Sequence, residues 1–428
     1  MTNKWYRAVI VLLFLSLTYV LVGLTSPNMS DTDLGVMNGG LHHPAVELNA
    51  LIYAVMLYRF ASRPQHYLRA VARMSALLPF LAICLLSALW STDPAHSLLH
   101  STALLIASVV AIMVGADFEI PDIVRMFSIA SLFHIILVGC FFVVARSRMY
   151  SPSDPLSLKG LTTHKNVFGF EMALAVLAFS MVPFRRLGLL RWPLTAIAMT
   201  LLILSRSSGS MVATIGAFCV LPFLFAVRFR GVQRVPLMML SSLGAILFAV
   251  FAFVNQAELP YLFSKDSTLT GRTGLWELVR VAIGQHPLLG YGFDSFWQGL
   301  RGDSLNIIVT VGWLVPTAHN GYYDVLLGVG FIGVALFLPA FFQMLARSLR
   351  YLSTERGSAG LFPIAFIAFW LIYNLNESAL ITRSGIPFVL FVAMSVSMAM
   401  HQKLTVPYGY PAAGYPDDLH YVGTKLPA

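Results

Sequence analysis

Long, nearly uncharged apolar runs recur along almost the whole chain, and they restrict its possible folds more than any other feature. Runs able to cross about 30 Å of hydrocarbon lie at 8–24, 44–59, 74–90, 97–115, 121–145, 167–184, 188–204, 211–228, 235–256, 322–345, 359–375 and 385–401. A backbone in lipid must satisfy its own hydrogen bonds, so runs of this length are helices. Composition agrees. Only 11% of the 428 residues are charged, against about 25% in a soluble protein. The expected fold is an all-α polytopic integral membrane protein with about twelve spans. The first run follows Lys4 and Arg7 and lacks a small-x-small cleavage site, which reads as a retained span rather than a signal peptide. Cys84, Cys140 and Cys219 lie inside apolar segments without paired or metal-like spacing, so they read as core residues.

Loop charge sets the expected sidedness. With the N-terminus inside, 18 of the 28 lysines and arginines fall in the inner loops, including "RPQHYLRAVAR", "FRRLGLLR", "RFRGVQR" and "ARSLRYLSTER". The positive-inside rule then puts both termini in the cytoplasm. The net charge of +9 is thereby a topology signal, not a nucleic-acid footprint. Residues 1–403 read as one membrane domain, with 257–318 as its large outer loop. The Pro/Gly/Tyr-rich stretch 404–428 reads as a disordered cytoplasmic tail.

On that map the chemically capable residues gather on the outer side. "GLTTHKN" brings His164, Lys165 and Asn166; "SRSSGS" brings Arg206; "TGRTGLWELVRVAIGQ" brings Arg272. "HNGYY" brings His319, Asn320 and Tyr322, and "NLNES" brings Glu377. Guanidinium groups hold phosphate oxygens in a fixed fork, although an arginine at a span end also snorkels to lipid headgroups. The serines around Arg206 suggest small donors gathered about one cation. Leu275, Leu278, Val279 and Ala282 have the spacing of a short amphipathic helix, with Arg272 near its N-terminus. "GYGFDS" lacks the last glycine and the βαβ setting of a dinucleotide loop, so Gly290 and Gly292 read as a turn. Asp417 and Asp418, the adjacent acidic pair, fall in the inner tail. Glu47 and Glu171 lie inside apolar spans. Asp324, one turn beyond His319, leaves two roles open: orienting His319 or pairing within the bundle.

"GLTTHKNVFGFEMAL", "SRSSGS", "TGRTGLWELVRVAIGQHPLLGYGFDSFW", "HNGYYDVLLGVGFIGVALFL" and "NLNES" occur in that order. Together they resemble the O-antigen ligase and Wzy-type polymerase superfamily of bacterial envelope glycosyltransferases, most of all its ExoQ-like exopolysaccharide production members. The resemblance implies a GT-C-like fold in the bacterial inner membrane, with the active site facing the periplasm. It implies undecaprenyl-pyrophosphate-linked oligosaccharides as substrates, and neither metal nor cofactor. Membrane lipid, a chain-length regulator and export proteins are the further partners it implies. By position, Arg206 and Arg272 would grip the pyrophosphate and His319 would act as base, with Glu377 in reserve. His164 and Lys165 would add phosphate contacts; Asn166, Asn320 and Tyr322 would contact other parts of the substrate. The sequence has HKN where HPN is frequent, and Ser where Thr often follows the arginine.

Four readings compete, of which a non-catalytic assembly factor is least favoured because of the outer-face cluster. A polymerase joins two lipid-linked repeat units, and a ligase transfers the lipid-linked glycan to lipid A-core or another acceptor. A flippase for the same glycans would call for ionisable groups at midplane depth and a symmetric repeat. The polymerase is the expected activity.

Overall fold

The structure, a computed structural model, describes residues 4–18, 44–152, 154–182, 188–228, 235–236, 238–239, 243–244, 272–354, 357–382 and 385–401. The described part is mostly helical. In chain order the helices are α1 (Lys4–Leu17), α2 (Pro44–Ser62), α3 (Pro64–Arg73), α4 (Leu78–Leu86), α5 (Pro94–Asp117), α6 (Ile120–Val144), α7 (Lys165–Met181) and α8 (Arg191–Leu204). They continue as α9 (Ser208–Arg228), α10 (Arg272–Gln285), α11 (Leu305–Val311), α12 (Gly321–Thr354), α13 (Phe362–Tyr373) and α14 (Ile386–Met400). Proline occupies the first turn of α3, α4, α5, α6, α13 and α14, where its missing N–H costs nothing. Two short strands between α6 and α7, β1 (Tyr150–Ser151) and β2 (Asp154–Leu158), pair antiparallel. This hairpin is a small departure from the all-α expectation, made in an extramembrane loop where lipid does not impose helix.

Among the described residues, three helices, α5, α6 and α12, are long and apolar enough to cross a membrane. Helix α3 and residues 75–89 together have the length and apolarity of a further span, but they are bent by 64°, the form of a broken span or a re-entrant loop. The sequence suggests a span at 74–90 and an inner loop before it. The structure makes the loop helical and breaks at Met74, whose φ of −114° and ψ of 22° lie outside the helix. The break separates α3, which carries Arg69 and Arg73, from an apolar partner that carries no charge. Segments 188–204 and 359–375 appear as shorter apolar helices, as does the last run in α14. Most of the run 235–256, the end of the first run, the loop residues 257–271, the Glu47 side chain and the tail lie outside the described residues.

Apolarity decides the layering. Helices α7 and α14 are buried on nearly every face, as expected of helices hydrophobic all round. Helix α7 packs against α8, α9 and α6, α14 against α5 and α12, and α13 against α9. At the far end of α5, Arg59 and Tyr67 converge on Asp117, and Arg7 pairs with Asp122 at 3.1 Å. Several cations that the sequence assigns to inner loops thus have carboxylate partners.

Helix α12 is interrupted at Gly330, with φ 61° and ψ −168°. The chain after α10 runs into that break: Tyr291 N–H donates to Leu327 O at 2.7 Å, and Phe331 N–H donates to Pro287 O at 2.8 Å. A Cβ at position 330 would stand 2.3 Å from the Leu288 carbonyl carbon, so only glycine admits this loop. The expected tenth span is therefore a broken helix. Non-helical backbone inside such a span is tolerated because protein groups replace the missing helical bonds.

Candidate active site

The turn after α13 builds the centre of the site. Asn374 anchors it by donating through Nδ2 to Trp370 O at 2.7 Å and accepting from Ala379 N at 2.8 Å. Gly321, at the start of α12, donates its N–H to Asn374 O at 2.9 Å and to Glu377 O at 3.0 Å. A Cβ on Gly321 would lie 2.1 Å from Asn374 Oδ1, so a side chain there would push the two segments apart. Asn320 completes the clamp. Its Oδ1 accepts from the N–H groups of Tyr322 and Tyr323, capping α12, and its Nδ2 donates to Leu375 O at 3.2 Å. Tyr322 donates to Leu371 O at 2.9 Å. Asn320 and Tyr322 thus hold the scaffold.

Glu377 is the hub. Its Oε1 accepts from Asn166 Nδ2 and from Arg272 Nη2, each at 2.7 Å, and its Oε2 lies 3.2 Å from His319 Nδ1. Helices α7, α10 and α12 each deliver one partner from within two residues of their first. Burial by itself would raise the Glu377 carboxyl. The Arg272 and His319 charges and hydrogen bonds outweigh it and hold the group down to about 2. A carboxylate so strongly held ionised is a poor proton acceptor and a good orienting anion.

His319 adopts φ 48°, a conformation uncommon outside glycine. Asp324 accounts for it. The Asp324 carboxylate accepts from Ala318 N at 3.0 Å, from Trp297 Nε1 at 2.7 Å and from the Ser378 hydroxyl. Trp276 Nε1 donates to Ala318 O at 2.9 Å. Of the two roles the sequence leaves open, Asp324 fills the first: it fixes the turn that presents His319.

A second cluster stands beside the first. Lys165 Nζ donates to Asp154 Oδ2 at 2.7 Å, and Arg206 Nη1 lies 3.8 Å from Asp154 Oδ1. Burial alone would raise the Asp154 carboxyl, but Lys165 and Ser157 hold it at about 2. His164 caps α7, its Nδ1 accepting from Asn166 N at 3.2 Å. Arg206 has φ 52° in the turn between α8 and α9. The neighbouring serines also bond to one another. Ser207 N donates to Ser205 Oγ at 3.2 Å, and the Ser207 and Ser210 hydroxyls pair at 2.9 Å. These bonds shape the turn, and a Cβ added at Gly209 would meet Glu377 Cγ at 3.7 Å.

His164, Asn166, His319 and Glu377 line one cavity of about 250 Å³. A neighbouring cavity of about 280 Å³ holds Asp294, Trp297 and Asp324. Pro316, Thr317, Ser378 and Thr382 border both.

Sequence reasoning missed Asp154, although it is the sole acid of its loop. It noted Glu171 without a partner. Glu171 lines the first cavity from within α7, and its Oε2 lies 3.1 Å from His134 Nδ1 of α6, both side chains buried. His134 carried no signal of its own, since a lone polar residue in an apolar run shows its partner only when helices pack.

The Wzy_C family, described as O-antigen ligase, matches residues 193–338, which include Arg206, Arg272 and His319. The exopolysaccharide production protein ExoQ of Rhizobium meliloti (strain 1021) is 27% identical over 294 residues, covering 64% of this chain and 66% of that protein. The matched stretch is thus just under two thirds of the relative. A helical chain with several apolar helices, an ordered set of motifs and these two matches point the same way: the protein is similar to the O-antigen ligase and Wzy-type superfamily of membrane proteins.

Proposed function

We propose that the chain polymerises undecaprenyl-pyrophosphate-linked oligosaccharide repeat units into exopolysaccharide at the periplasmic face of the inner membrane. The observation that carries this reading is the convergence of Arg272, His319 and Asn166 on Glu377 at the wall of one cavity. In this reading the fold is a twelve-span, GT-C-like domain over residues 1–403 with both termini cytoplasmic, and the site opens outward.

His319 accepts the proton of an acceptor sugar hydroxyl, whose oxygen attacks the donor's anomeric carbon. The bond from that carbon to the pyrophosphate oxygen breaks, and undecaprenyl pyrophosphate leaves. Negative charge grows on the leaving oxygen, where preorganised cations have most effect. Arg272 presents a fork of five N–H donors, of which Nη2 serves Glu377; the rest of the fork faces pyrophosphate. Arg206 and Lys165 extend the cationic wall, and His164 adds a phosphate contact beside them. Glu377 orients His319 and Arg272 and does not carry the proton. The two adjoining cavities offer one place for each glycan chain. Transfer to a lipid A-core or other acceptor is the second reading, favoured by the O-antigen ligase description of the matching family.

The test is glycan analysis in a deletion strain complemented with wild type or His319→Asn at equal expression. Single lipid-linked repeat units accumulate in the polymerase reading. Long polymer retained on the carrier indicates the ligase, and repeat units held on the cytoplasmic leaflet indicate a flippase. Wild-type polymer output from His319→Asn would remove His319 from the reaction.

A further inference from the structure

The outer end of α5 carries a group of ligands that the proposed reaction does not use. His96 and His100 are four residues apart, hence on one face of α5, with ring centroids 3.8 Å apart. Asp294 approaches from the loop after α10, its Oδ2 2.5 Å from His100 Nδ1. One ligand atom from each of the three lies within 4.8 Å of the others. His100 is buried and the Asp294 side chain is 49% exposed, so the group is closed on the protein side and open towards solvent.

The loop is fastened on both sides of Asp294. Phe293 N–H donates to Ser87 Oγ at 2.9 Å, and Ser97 Oγ donates to Phe293 O at 3.1 Å. Ser91 Oγ donates to Ser295 Oγ at 2.8 Å. Between these bonds Asp294 adopts φ 57°, a backbone state that persists only when its surroundings impose it. A carboxylate is thus fixed against two imidazoles by contacts outside the group, the outer support that metal sites use.

We propose that His96, His100 and Asp294 bind a divalent transition-metal ion of the zinc type, with water as a further ligand, and that the ion ties the 286–304 loop to α5. Two imidazoles and one carboxylate suit zinc and disfavour magnesium or calcium, which take oxygen ligands. Tetrahedral zinc with bonds of about 2.0 Å sets its donors about 3.3 Å apart. That spacing falls between the 2.5 Å contact and the 4.8 Å spread found here, so small side-chain rotations close the site. Asp294 lines the second cavity and not the one holding His319. The ion therefore shapes the second cavity and takes no part in proton transfer at His319.

The experiment uses the full chain, purified in detergent through a tag without histidines, loaded with zinc chloride and dialysed against metal-free buffer. Elemental analysis is expected to find about one zinc per chain, lost in both His96→Ala and Asp294→Asn. Asparagine tolerates the left-handed backbone and still accepts a hydrogen bond from His100, so Asp294→Asn removes the anionic ligand while keeping the loop. Its unfolding temperature without zinc should match wild type, and the rise that zinc produces in wild type should disappear. Wild type without zinc after dialysis, or equal zinc in wild type and both variants, overturns the proposal. The second result would mean that other histidines hold the metal.

Discussion

Arg272 and Glu377, 105 residues apart in the chain, form a buried ion pair at 2.7 Å, and His319 shares the same carboxylate from its other oxygen at 3.2 Å. The pair joins α10 to the turn after α13 and sets where His319 points. Stability and chemistry therefore meet at one residue.

Glu377→Gln removes the charge and leaves Arg272 buried opposite a neutral amide. Breaking one side of a buried pair costs about 3–5 kcal/mol, so the unfolding temperature in detergent should fall clearly. The pH dependence follows from the lowered carboxyl. Its ordinary value is 4.5 and its folded value about 2. A lowered folded value means that the stabilisation is complete above about 4.5 and is lost as pH falls towards 2. Wild type should lose stability across that window, and Glu377→Gln should show a smaller loss. Equal slopes in the two proteins would show that Glu377 is not the group responsible.

Arg272→Lys keeps the charge and loses the fork. Lysine can still pair with Glu377, so the unfolding temperature should fall less than in Glu377→Gln. One lost charge-assisted hydrogen bond to the leaving group, worth about 1.5–3 kcal/mol, corresponds to about ten- to hundredfold in rate. Turnover of lipid-linked oligosaccharide by purified protein measures it, and unchanged turnover would exclude the pyrophosphate role.

His319→Asn tests the base without disturbing the backbone, because asparagine accepts the φ of 48° found here. Loss of a positioned general base costs about 10²–10⁴ in rate. His319 is only partly buried, so the unfolding temperature should change little. A rate loss accompanied by an equally large stability loss would point to a structural role.

Gly330→Ala tests the broken helix. A methyl at position 330 meets the Leu288 backbone at 2.3 Å, and the φ and ψ of 61° and −168° belong to glycine. The expected cost is about 3 kcal/mol or more, read as loss of folded protein by fluorescence-detected gel filtration. Gly139→Ala is the control. Nothing lies within 4 Å of a Cβ there, and alanine in a helix interior gains up to about 1 kcal/mol over glycine.

Much of the site's membership was legible from chemistry and position. His319, Arg272, Asn166 and Glu377 belong to short polar motifs at the ends of apolar runs, and such motifs stand out where every unsatisfied polar group is expensive. Their partners were not legible. Nothing in "NLNES" marks Glu377 as the hub, nothing in "SPSDPLSL" joins Asp154 to Lys165 and Arg206, and nothing in α6 announces His134 as the partner of Glu171. Asp324 looked like a charge misplaced in a helix until Ala318, Trp297 and Ser378 were seen to bond to it.

The sequence by itself determined a helical membrane protein and the residues available for chemistry. Helix formation in lipid is local: each run must satisfy its own backbone, whichever neighbours it acquires. Tertiary structure alone decided which polar groups meet, where α12 breaks to admit the loop after α10, and how His319 is held in a left-handed turn. Those features depend on contacts between segments far apart in sequence, and their energies exist only once the helices have packed.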